Sequence, residues 1–346
     1  GDPVALGKTA KVWAFPEITK IDPVSAKPVE EALGDDFRRR NAVWDGAGPT
    51  VRVAAARGEI VSFQVAVEGA VKGCSIDVAA LSGPGTIPAS GVRLWRNWYV
   101  KGQSEYAIPL KPGATFDCPS ADNGISGQTL QAVTVDIHVP TDAAPGDYAG
   151  TATVRGNGAN AVLKLAVKVY AVTIPDEIHF NPELNCYGGP GQAGSEQFKA
   201  SFQLAHYHRC TINRVPYSQN GKVHDDWRPD VGGDGHVTNW SRFDANLGGL
   251  LDGSWFADNP RANVPVPTFY LPLFEGWPLD FRKHYNPGDG VPMNTGDNDA
   301  LIRHHAMAKP IGEAMDDAYQ TAWRNCVSDF YKHFDQIGRA SCRERV

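Results

Sequence analysis

The sequence lacks most of the features that would assign it to a functional class directly. It has no run of about 18 apolar residues, so a membrane-spanning helix is not predicted. It also has no C-x-x-C pair, no G-x-S-x-G elbow and no phosphate loop of the G-x-x-x-x-G-K type. Zinc or redox motifs, serine hydrolases and nucleotide binding by a phosphate loop of this type are therefore not indicated.

An excess of positive charge is also missing. The chain has 33 Lys and Arg residues against 39 Asp and Glu residues, for a net charge of −6, and its basic residues are scattered. Nucleic acids and anionic membranes bind through clustered Lys and Arg, so no nucleic-acid or membrane partner is predicted. Neutral or weakly charged ligands fit this charge balance better.

Cysteine is sparse and widely spaced, and we interpret most of these residues as buried thiols while leaving one disulfide open. The isolated cysteines are Cys74, Cys118, Cys186, Cys210 and Cys326. The chain starts at Gly1 without a Met or a signal-peptide core, so its location must be inferred from other features.

Residues 11–175 are patterned as short β-branched runs of period two, separated by Gly and Pro turns. About eight such runs predict a sandwich of two antiparallel sheets, which we assign to a domain at 1–175. Within it, Tyr148 follows a Pro-Gly turn at the start of a strand. This position is typical of a tyrosine corner, in which the hydroxyl bonds to upstream backbone; an ordinary half-buried strand aromatic is the alternative.

Residues 176–336 are patterned differently, as strands alternating with helices. The predicted strands are Ile178–Tyr187, Thr211–Pro216 and Val264–Phe274, and the predicted helices are Ser195–His208, Ser241–Phe256 and Asp299–Gln336, broken at Pro310. Three βα units in a row imply a parallel sheet. The length of 346 residues suits two domains. The predicted fold class is thus an N-terminal antiparallel β-sandwich followed by the first part of a (β/α)8 barrel, with about three βα units at 176–336.

The last residues, 337–346, read IGRASCRERV and match no helix cap, strand pattern or natural tail composition. Permitted codons for this string can spell a widely used short-read sequencing adapter in frame. We therefore expect residues 337–346 to be a non-native tail, and the natural sequence to stop near Gln336 before a fourth barrel strand.

In such a barrel, ligands bind on the loops that follow the strands. Polar and aromatic side chains lie at the three predicted strand ends, where they suit sugar rings, whose C–H faces stack on aromatics while their hydroxyls hydrogen-bond. The predicted substrate-binding residues are Glu183, Asn185, Tyr187, Arg214, Tyr217, Glu275 and Trp277.

Each of the main candidates also has a structural interpretation. Trp277 could be a packing aromatic under its loop, Glu275 a solvated carboxylate, and Glu183 a strand-end residue paired with a nearby Arg. Glycosidic acid–base chemistry needs two carboxylates, and neither Glu can be assigned a catalytic role from sequence. His206 and His208 lie at i and i+2, which point to different helix faces, so no metal and no cofactor are predicted.

Several strings resemble family 123 glycoside hydrolases, in which a β-sandwich precedes a barrel. They are Val12–Pro16, Arg57-Gly58-Glu59 before Val61–Gln64, and Ala144–Tyr148 before Gly150. The resemblance covers nearly all of residues 11–336. It implies removal of terminal N-acetylgalactosamine from glycans by substrate assistance, with an adjacent Asp-Glu pair on the barrel that orients the acetamido group and protonates the leaving oxygen.

The one Asp-Glu dipeptide, Asp176-Glu177, lies in the predicted interdomain connection, so the catalytic role is not transferred to it. We therefore expect the chain to be the front part of a secreted or periplasmic bacterial glycoside hydrolase, inactive on its own, with a glycan or oligosaccharide as partner. The alternative is a non-catalytic carbohydrate-binding or cell-surface scaffold protein in which the same aromatics bind glycan.

Overall fold

The computed structural model describes residues 2–30, 33–99, 105–122, 125–186, 189–214, 216–217, 222–274, 276–286, 288 and 308–336. The chain forms two compact units, Gly1–Pro175 and Asp176–Val346, which we call unit 1 and unit 2. Four β-sheets are found among the described residues, and each unit has its own hydrophobic core.

The regular secondary structure described in unit 1 consists almost entirely of strands. They are Val4–Leu6 (β1), Ala10–Pro16 (β2), Trp44–Asp45 (β3), Thr50–Arg57 (β4), Ile60–Gly69 (β5), Val71–Val78 (β6), Leu81–Ser82 (β7), Thr86–Ile87 (β8), Val92–Tyr99 (β9), Glu105–Leu110 (β10), Phe116–Cys118 (β11), Leu130–His138 (β12), Gly146–Gly156 (β13) and Ala159–Thr173 (β14). Short 3-10 turns lie at Asp35–Arg38 and Ala89–Gly91.

The strands of unit 1 form two sheets that share one core. The first has the order β1-β2-β5-β12-β9-β10 and is antiparallel throughout. The second runs β11-β6-β13-β14-β4-β3, with a parallel step between β14 and β4, and β7 and β8 attached beside β13. Because successive strand residues point to opposite faces, one face of each sheet supplies the apolar side chains of that core.

The buried polar side chains of unit 1 have specific partners. Gln64 in β5 is 2% exposed, and its Nε2 donates to the carbonyls of Pro16, Glu17 and Thr19, closing the turn after β2. Its Oε1 accepts from Asn97 Nδ2 at 2.5 Å. Because its hydrogen bonds are made, burying this amide costs little free energy. The same bonds fix the register of β2, β5 and β9.

Tyr148 forms the predicted tyrosine corner. Its side chain is 2% exposed, and its hydroxyl donates to the carbonyl of Ala144, four residues upstream, at 2.7 Å. The prediction of a hydroxyl bonded back to upstream backbone is therefore confirmed, and the bond fixes the path of the chain into β13.

Unit 2 has short strands, helices and long connections. Its elements are Glu183–Asn185 (β15), Glu196–Tyr207 (α1), Thr211–Asn213 (β16), Asp230–Val231 (β17), Val237–Asn239 (β18), Ser241–Asp252 (α2), Ile311–Ala314 (α3) and Asp317–Gln336 (α4). β15 pairs with β16 in parallel, and β17 pairs with β18 antiparallel. Short 3-10 turns lie at Asp225–Trp227, Ser254–Phe256 and Phe281–Lys283.

The predicted fold class is wrong. In the described part of the chain β-structure dominates, and unit 2 has one parallel pair of three-residue strands instead of the beginning of a barrel. Within the described residues, the predicted third strand at 264–274 forms no ladder, and Phe274 makes an isolated bridge to Trp277. Pro265, Pro267 and Pro272 interrupt this apolar run, and each proline removes a backbone donor that a central strand needs.

The helix starts of unit 2 follow local side-chain chemistry. Ser195 is the N-cap of α1, and its Oγ accepts from Phe198 N at 3.2 Å. At α2 the N-cap residue is Trp240, whose side chain makes no capping bond, and Asn239 Oδ1 accepts from Ser241 N at 3.0 Å. α2 ends at Gly253, which has a φ of 85°. The predicted tail at 337–346 lies outside the described residues.

Candidate functional site

The parallel pair β15–β16 presents one polar face. Glu183 lies opposite Thr211 and Asn185 lies opposite Asn213 in the register. Because side chains alternate along a strand, these four residues share one face of the pair. Ile212 lies on the other face and packs against the core of unit 2. The strands therefore place polar side chains together on a scaffold that is anchored by apolar contacts.

The Glu183 carboxylate is the centre of a hydrogen-bonded group of side chains. Its Oε2 accepts from Asn213 Nδ2 at 3.0 Å and from the Tyr270 hydroxyl at 3.1 Å. Its Oε1 accepts from Thr268 Oγ1 at 3.2 Å and from Asn181 Nδ2 at 3.4 Å. We call these five residues the Glu183 cluster.

Further bonds tie the donors of the cluster to one another. Asn213 Nδ2 also donates to the Tyr270 hydroxyl at 3.1 Å, and Asn181 Nδ2 donates to Thr268 Oγ1 at 2.8 Å. Glu183 and Thr268 are nevertheless exposed, and Tyr270 is 39% exposed. The cluster is thus an ordered polar surface that a solute can reach.

The electrostatics of the cluster keep the Tyr270 phenol protonated. Partial burial raises the pKa of Tyr270 above its ordinary value, and the hydrogen bond to the Glu183 carboxylate raises it further. A protonated phenol is the form that donates to a carboxylate. Tyr270 is therefore held as a donor at the edge of the cluster, with part of its ring facing solvent.

The other predicted site residues have different surroundings. Asn185 is exposed at the end of β15. Arg214 Nη1 donates to the carbonyls of Gly189 and Gly191 at 3.1 and 2.7 Å, so this side chain holds the loop before α1. Tyr217 stacks on Phe274, with ring centroids 3.8 Å apart. The predictions for Tyr187 and Glu275 fall outside the described residues.

Trp277 lies in the interior of unit 2. Its side chain is 1% exposed and meets the ring of Phe330 edge-on, with centroids 6.1 Å apart. Its backbone exchanges hydrogen bonds with Phe274 at 2.9 and 3.2 Å. The ring faces of Trp277 are packed against protein and are not accessible to a ligand. This agrees with the alternative that Trp277 is a packing aromatic under its loop.

Four members of the cluster are not among the predicted binding residues: Asn181, Asn213, Thr268 and Tyr270. Asn213 directly precedes the predicted residue Arg214. Asn181 precedes the strand, and Thr268 and Tyr270 come from the run 264–274, which the apolar pattern predicts to be buried strand. The sequence feature that could have identified Thr268 and Tyr270 is their spacing of i and i+2 in a run that contains three prolines. Such a run indicates an extended surface segment better than a central strand.

The described residues contain no group of three His, Cys, Asp or Glu side chains placed to hold a metal ion. His206 is engaged elsewhere: its Nε2 meets the Val264 carbonyl at 2.9 Å, and its Nδ1 accepts from Asn259 Nδ2 at 3.1 Å. The five cysteines in the described part of the chain are free thiols. None of its helices is long and apolar enough to cross a membrane.

No family model and no curated protein matches this chain. Among solved structures it is similar to a family 123 glycoside hydrolase from Clostridium perfringens described for glycolipid glycan hydrolysis, with 12% identity over 57% of this chain and 32% of that chain, and a TM-score of 0.36. The chain therefore spans about a third of the length of that protein.

Two other similar structures are weaker matches. The CooA pilin subunit from enterotoxigenic Escherichia coli shares 14% identity over 36% of this chain and 90% of that chain, with a TM-score of 0.24. An endo-fucoidan hydrolase of glycoside hydrolase family 107 shares 8% identity over 38% of this chain and 14% of that chain, with a TM-score of 0.19. The likeness to glycoside hydrolases is thus weak and confined to part of the fold.

Proposed function

We propose that the protein binds a glycan at the Glu183 cluster. The observation that carries this proposal is the exposed Glu183 carboxylate, which is held in place by an amide, a phenol and a hydroxyl side chain. The carboxylate already accepts four hydrogen bonds, and it can exchange one of them for a bond from a ligand hydroxyl group without moving its own side chain.

The chemistry of the cluster matches a sugar ring. Sugar hydroxyls both donate and accept, and the cluster offers an acceptor in Glu183 and groups of both kinds in Asn213 and Tyr270. Hydrogen bonds to an ionised carboxylate are stronger than neutral ones. The partly exposed ring of Tyr270 adds an apolar face on which the C–H side of a sugar can pack.

The finer part of the proposal is that the whole protein cleaves its glycan by removing terminal N-acetylhexosamine with substrate assistance. This part comes from the family resemblance of the strings in unit 1. The location that accompanies it, secreted or periplasmic, is proposed on the same basis. The catalytic carboxylates are not assigned, since Asp176-Glu177 is exposed next to Arg261, which donates to the Asp176 carbonyl.

One observation favours binding without cleavage by this chain. The Glu183 cluster has a single carboxylate, and both of its oxygens already accept hydrogen bonds. Protonation of a glycosidic oxygen and stabilisation of the sugar cation need two separate groups. We therefore expect this chain to bind glycan without turnover, as a non-catalytic carbohydrate-binding protein would.

The test is calorimetric titration of the chain with an N-acetylgalactosamine-terminated oligosaccharide. Glu183→Gln should weaken binding roughly tenfold, since it removes a charge-assisted acceptor that contributes about 1.5 kcal/mol or more. Tyr270→Phe should weaken it less, because the ring stays. Glu177→Gln is the matched control, an exposed carboxylate of the same unit, and should bind like the unmodified chain.

Two results would contradict the proposal. Unchanged affinity in Glu183→Gln would remove the cluster from the binding site. Steady release of the aryl group from an aryl N-acetylhexosaminide by this chain would contradict the expectation that it binds without turnover.

A further inference from the structure

Unit 2 has a second concave surface that the Glu183 cluster does not use. It is a cleft of about 1030 Å³ between the 3-10 turn at Phe281–Lys283, the segment around α3 and the first turns of α4. This volume suits a ligand of a few rings. We call it the aromatic cleft and define it by six of its lining residues: Phe281, Tyr285, Lys309, Tyr319, Trp323 and Arg324.

The aromatic walls of the cleft are fixed by secondary structure. Tyr319 and Trp323 are separated by four residues on α4 and therefore share one helix face, with ring centroids 6.2 Å apart. Phe281 and Tyr285 form the other wall, with centroids 5.4 Å apart. The Tyr319 ring is 7% exposed and supports Trp323 from the core side. The partly exposed rings of Trp323, Phe281 and Tyr285 offer stacking surfaces to a planar or ring-shaped ligand.

The two walls are fastened to each other at their base. His284 Nδ1 meets the Asp316 carboxylate at 2.8 Å, and Asp316 Oδ1 accepts from Tyr319 N at 2.9 Å, which caps α4. The bridge between Tyr285 and Met315 joins the same two segments. The cleft is therefore formed by side chains and backbone that already have partners, and a ligand would meet it preformed.

The charge of the lining has one sign. Lys309 and Arg324 are its charged residues, both are exposed, and the described lining contains no carboxylate. Arg324 Nη2 donates to Gln320 Oε1 at 3.3 Å, and both residues line the cleft. An Arg and a Lys beside aromatic faces complement an anionic group attached to a ring. This sign is opposite to the net charge of −6 of the whole chain.

We propose that the aromatic cleft is a binding site for an acidic sugar unit, whose ring packs on the partly exposed Trp323 while its carboxylate or sulfate meets Arg324 and Lys309. The proposal rests on glycan binding as the function of unit 2, and it adds a class of ligand that the Glu183 cluster is not built to hold. A carboxylate cluster repels an anionic sugar, whereas the cleft attracts it.

The experiment uses the whole chain and three oligosaccharides of equal length: an oligogalacturonate, a sulfated oligosaccharide and a neutral glucan. We expect at least one anionic ligand to bind roughly tenfold or more tightly than the neutral one, and its affinity to fall as salt is added. Arg324→Gln combined with Lys309→Gln should remove that preference. Lys332→Gln, an exposed lysine on the same helix outside the cleft, should retain it.

The outcomes separate the two proposals. The cleft proposal is supported if Glu183→Gln still prefers an anionic ligand and the combined Arg324→Gln and Lys309→Gln variant does not. This result does not depend on whether the chain binds N-acetylgalactosamine. Equal binding of neutral and anionic ligands, no binding of either, or an anionic preference unchanged in the Arg324 and Lys309 variant would overturn it. The carboxylated and sulfated ligands show which acid group the cleft selects.

Discussion

The two units of this chain are held together in different ways. In unit 1 long ladders carry the structure: β13 and β14 pair over eleven positions, from Gly146↔Val169 to Gly156↔Ala159. In unit 2 the parallel pair is three residues long, and aromatic contacts and side-chain hydrogen bonds link helices to connecting segments. Unit 1 is therefore stabilised mainly through its backbone pairing and core, whereas unit 2 depends more on individual side chains.

The difference extends to buried polar atoms that have no hydrogen-bond partner among the described residues. In unit 1 these are Arg38 Nε and Arg57 Nε. In unit 2 they are Asn181 Oδ1, Thr211 Oγ1, Asn213 Oδ1, Trp227 Nε1, Arg261 Nε, Trp277 Nε1 and Trp323 Nε1. Unpaired buried groups cost stability and concentrate at functional sites. Their distribution agrees with the placement of both proposed ligand sites in unit 2.

The largest expected effects come from removing one ring from each core. Phe63 and Phe243 are both fully buried, and each packs against residues of its own unit. Phe63→Ala should lower the free energy of opening of β5 and β12 by about 3–5 kcal/mol, and Phe243→Ala should do the same for α2. Hydrogen exchange read by mass spectrometry reports both. If either single substitution reduced hydrogen-exchange protection in both units, the two units would not have independent cores, and the distinction drawn between them would be wrong.

The second effect is a dependence of unit 2 on pH. Burial, with the charge of Arg261 next, lowers the pKa of His206 from 6.5 to about 4. The unfolded chain therefore binds this proton first, and stability declines as the pH falls from 6.5 toward 4, by about 3 kcal/mol. Urea unfolding at several pH values measures the decline, and His206→Gln should flatten it. An imidazole that titrates near pH 6.5 in NMR spectra would contradict the assignment.

A smaller effect is expected at the tyrosine corner of unit 1. Tyr148→Phe keeps the ring and removes the hydroxyl that donates to the Ala144 carbonyl, so this part-buried hydrogen bond is lost. We expect a loss of about 1–2 kcal/mol in the free energy of unfolding, measured by urea denaturation. Tyr170→Phe is the control, since Tyr170 is 48% exposed on β14, and it should change stability by less than about 0.5 kcal/mol.

The smallest effect on stability should come from Glu183, the residue at the centre of the proposed binding site. Glu183 is exposed, and the amide of Glu183→Gln keeps one acceptor for the surrounding donors. We expect the free energy of unfolding to change by less than about 1 kcal/mol, as for other surface charges. A thermal melt alongside the glycan titration checks this. A large loss of stability would make Glu183 a structural residue of unit 2.

How far the sequence predicts the structure differs between the two units. The alternating pattern of Ala132–Val139 predicts a strand, and β12 is found at Leu130–His138. Such patterns succeed in unit 1 because burial on one face and backbone pairing act together there. At 264–274 the apolar composition predicts a strand as well, but the three prolines remove the donors and the segment crosses unit 2 as an irregular chain.

The candidate site was predictable only in part. Glu183 is identified by its place at a strand end, but its partner Tyr270 is 87 residues away and lies in a segment whose path depends on those prolines. Trp277 has the composition expected of a stacking platform, yet it is 1% exposed, because the bridge to Phe274 turns it toward the core. Burial of a single aromatic depends on packing that local sequence does not encode.

We propose above all that glycan binds at the Glu183 cluster of unit 2. NMR spectra of the isotope-labelled chain test this proposal most directly. On titration with an N-acetylgalactosamine-terminated oligosaccharide, we expect the amide signals of Asn213, Thr268 and Tyr270 to shift, while those of β5 and β12 stay in place. Shifts confined to the strands of unit 1, or no shifts at saturating ligand, would contradict the account.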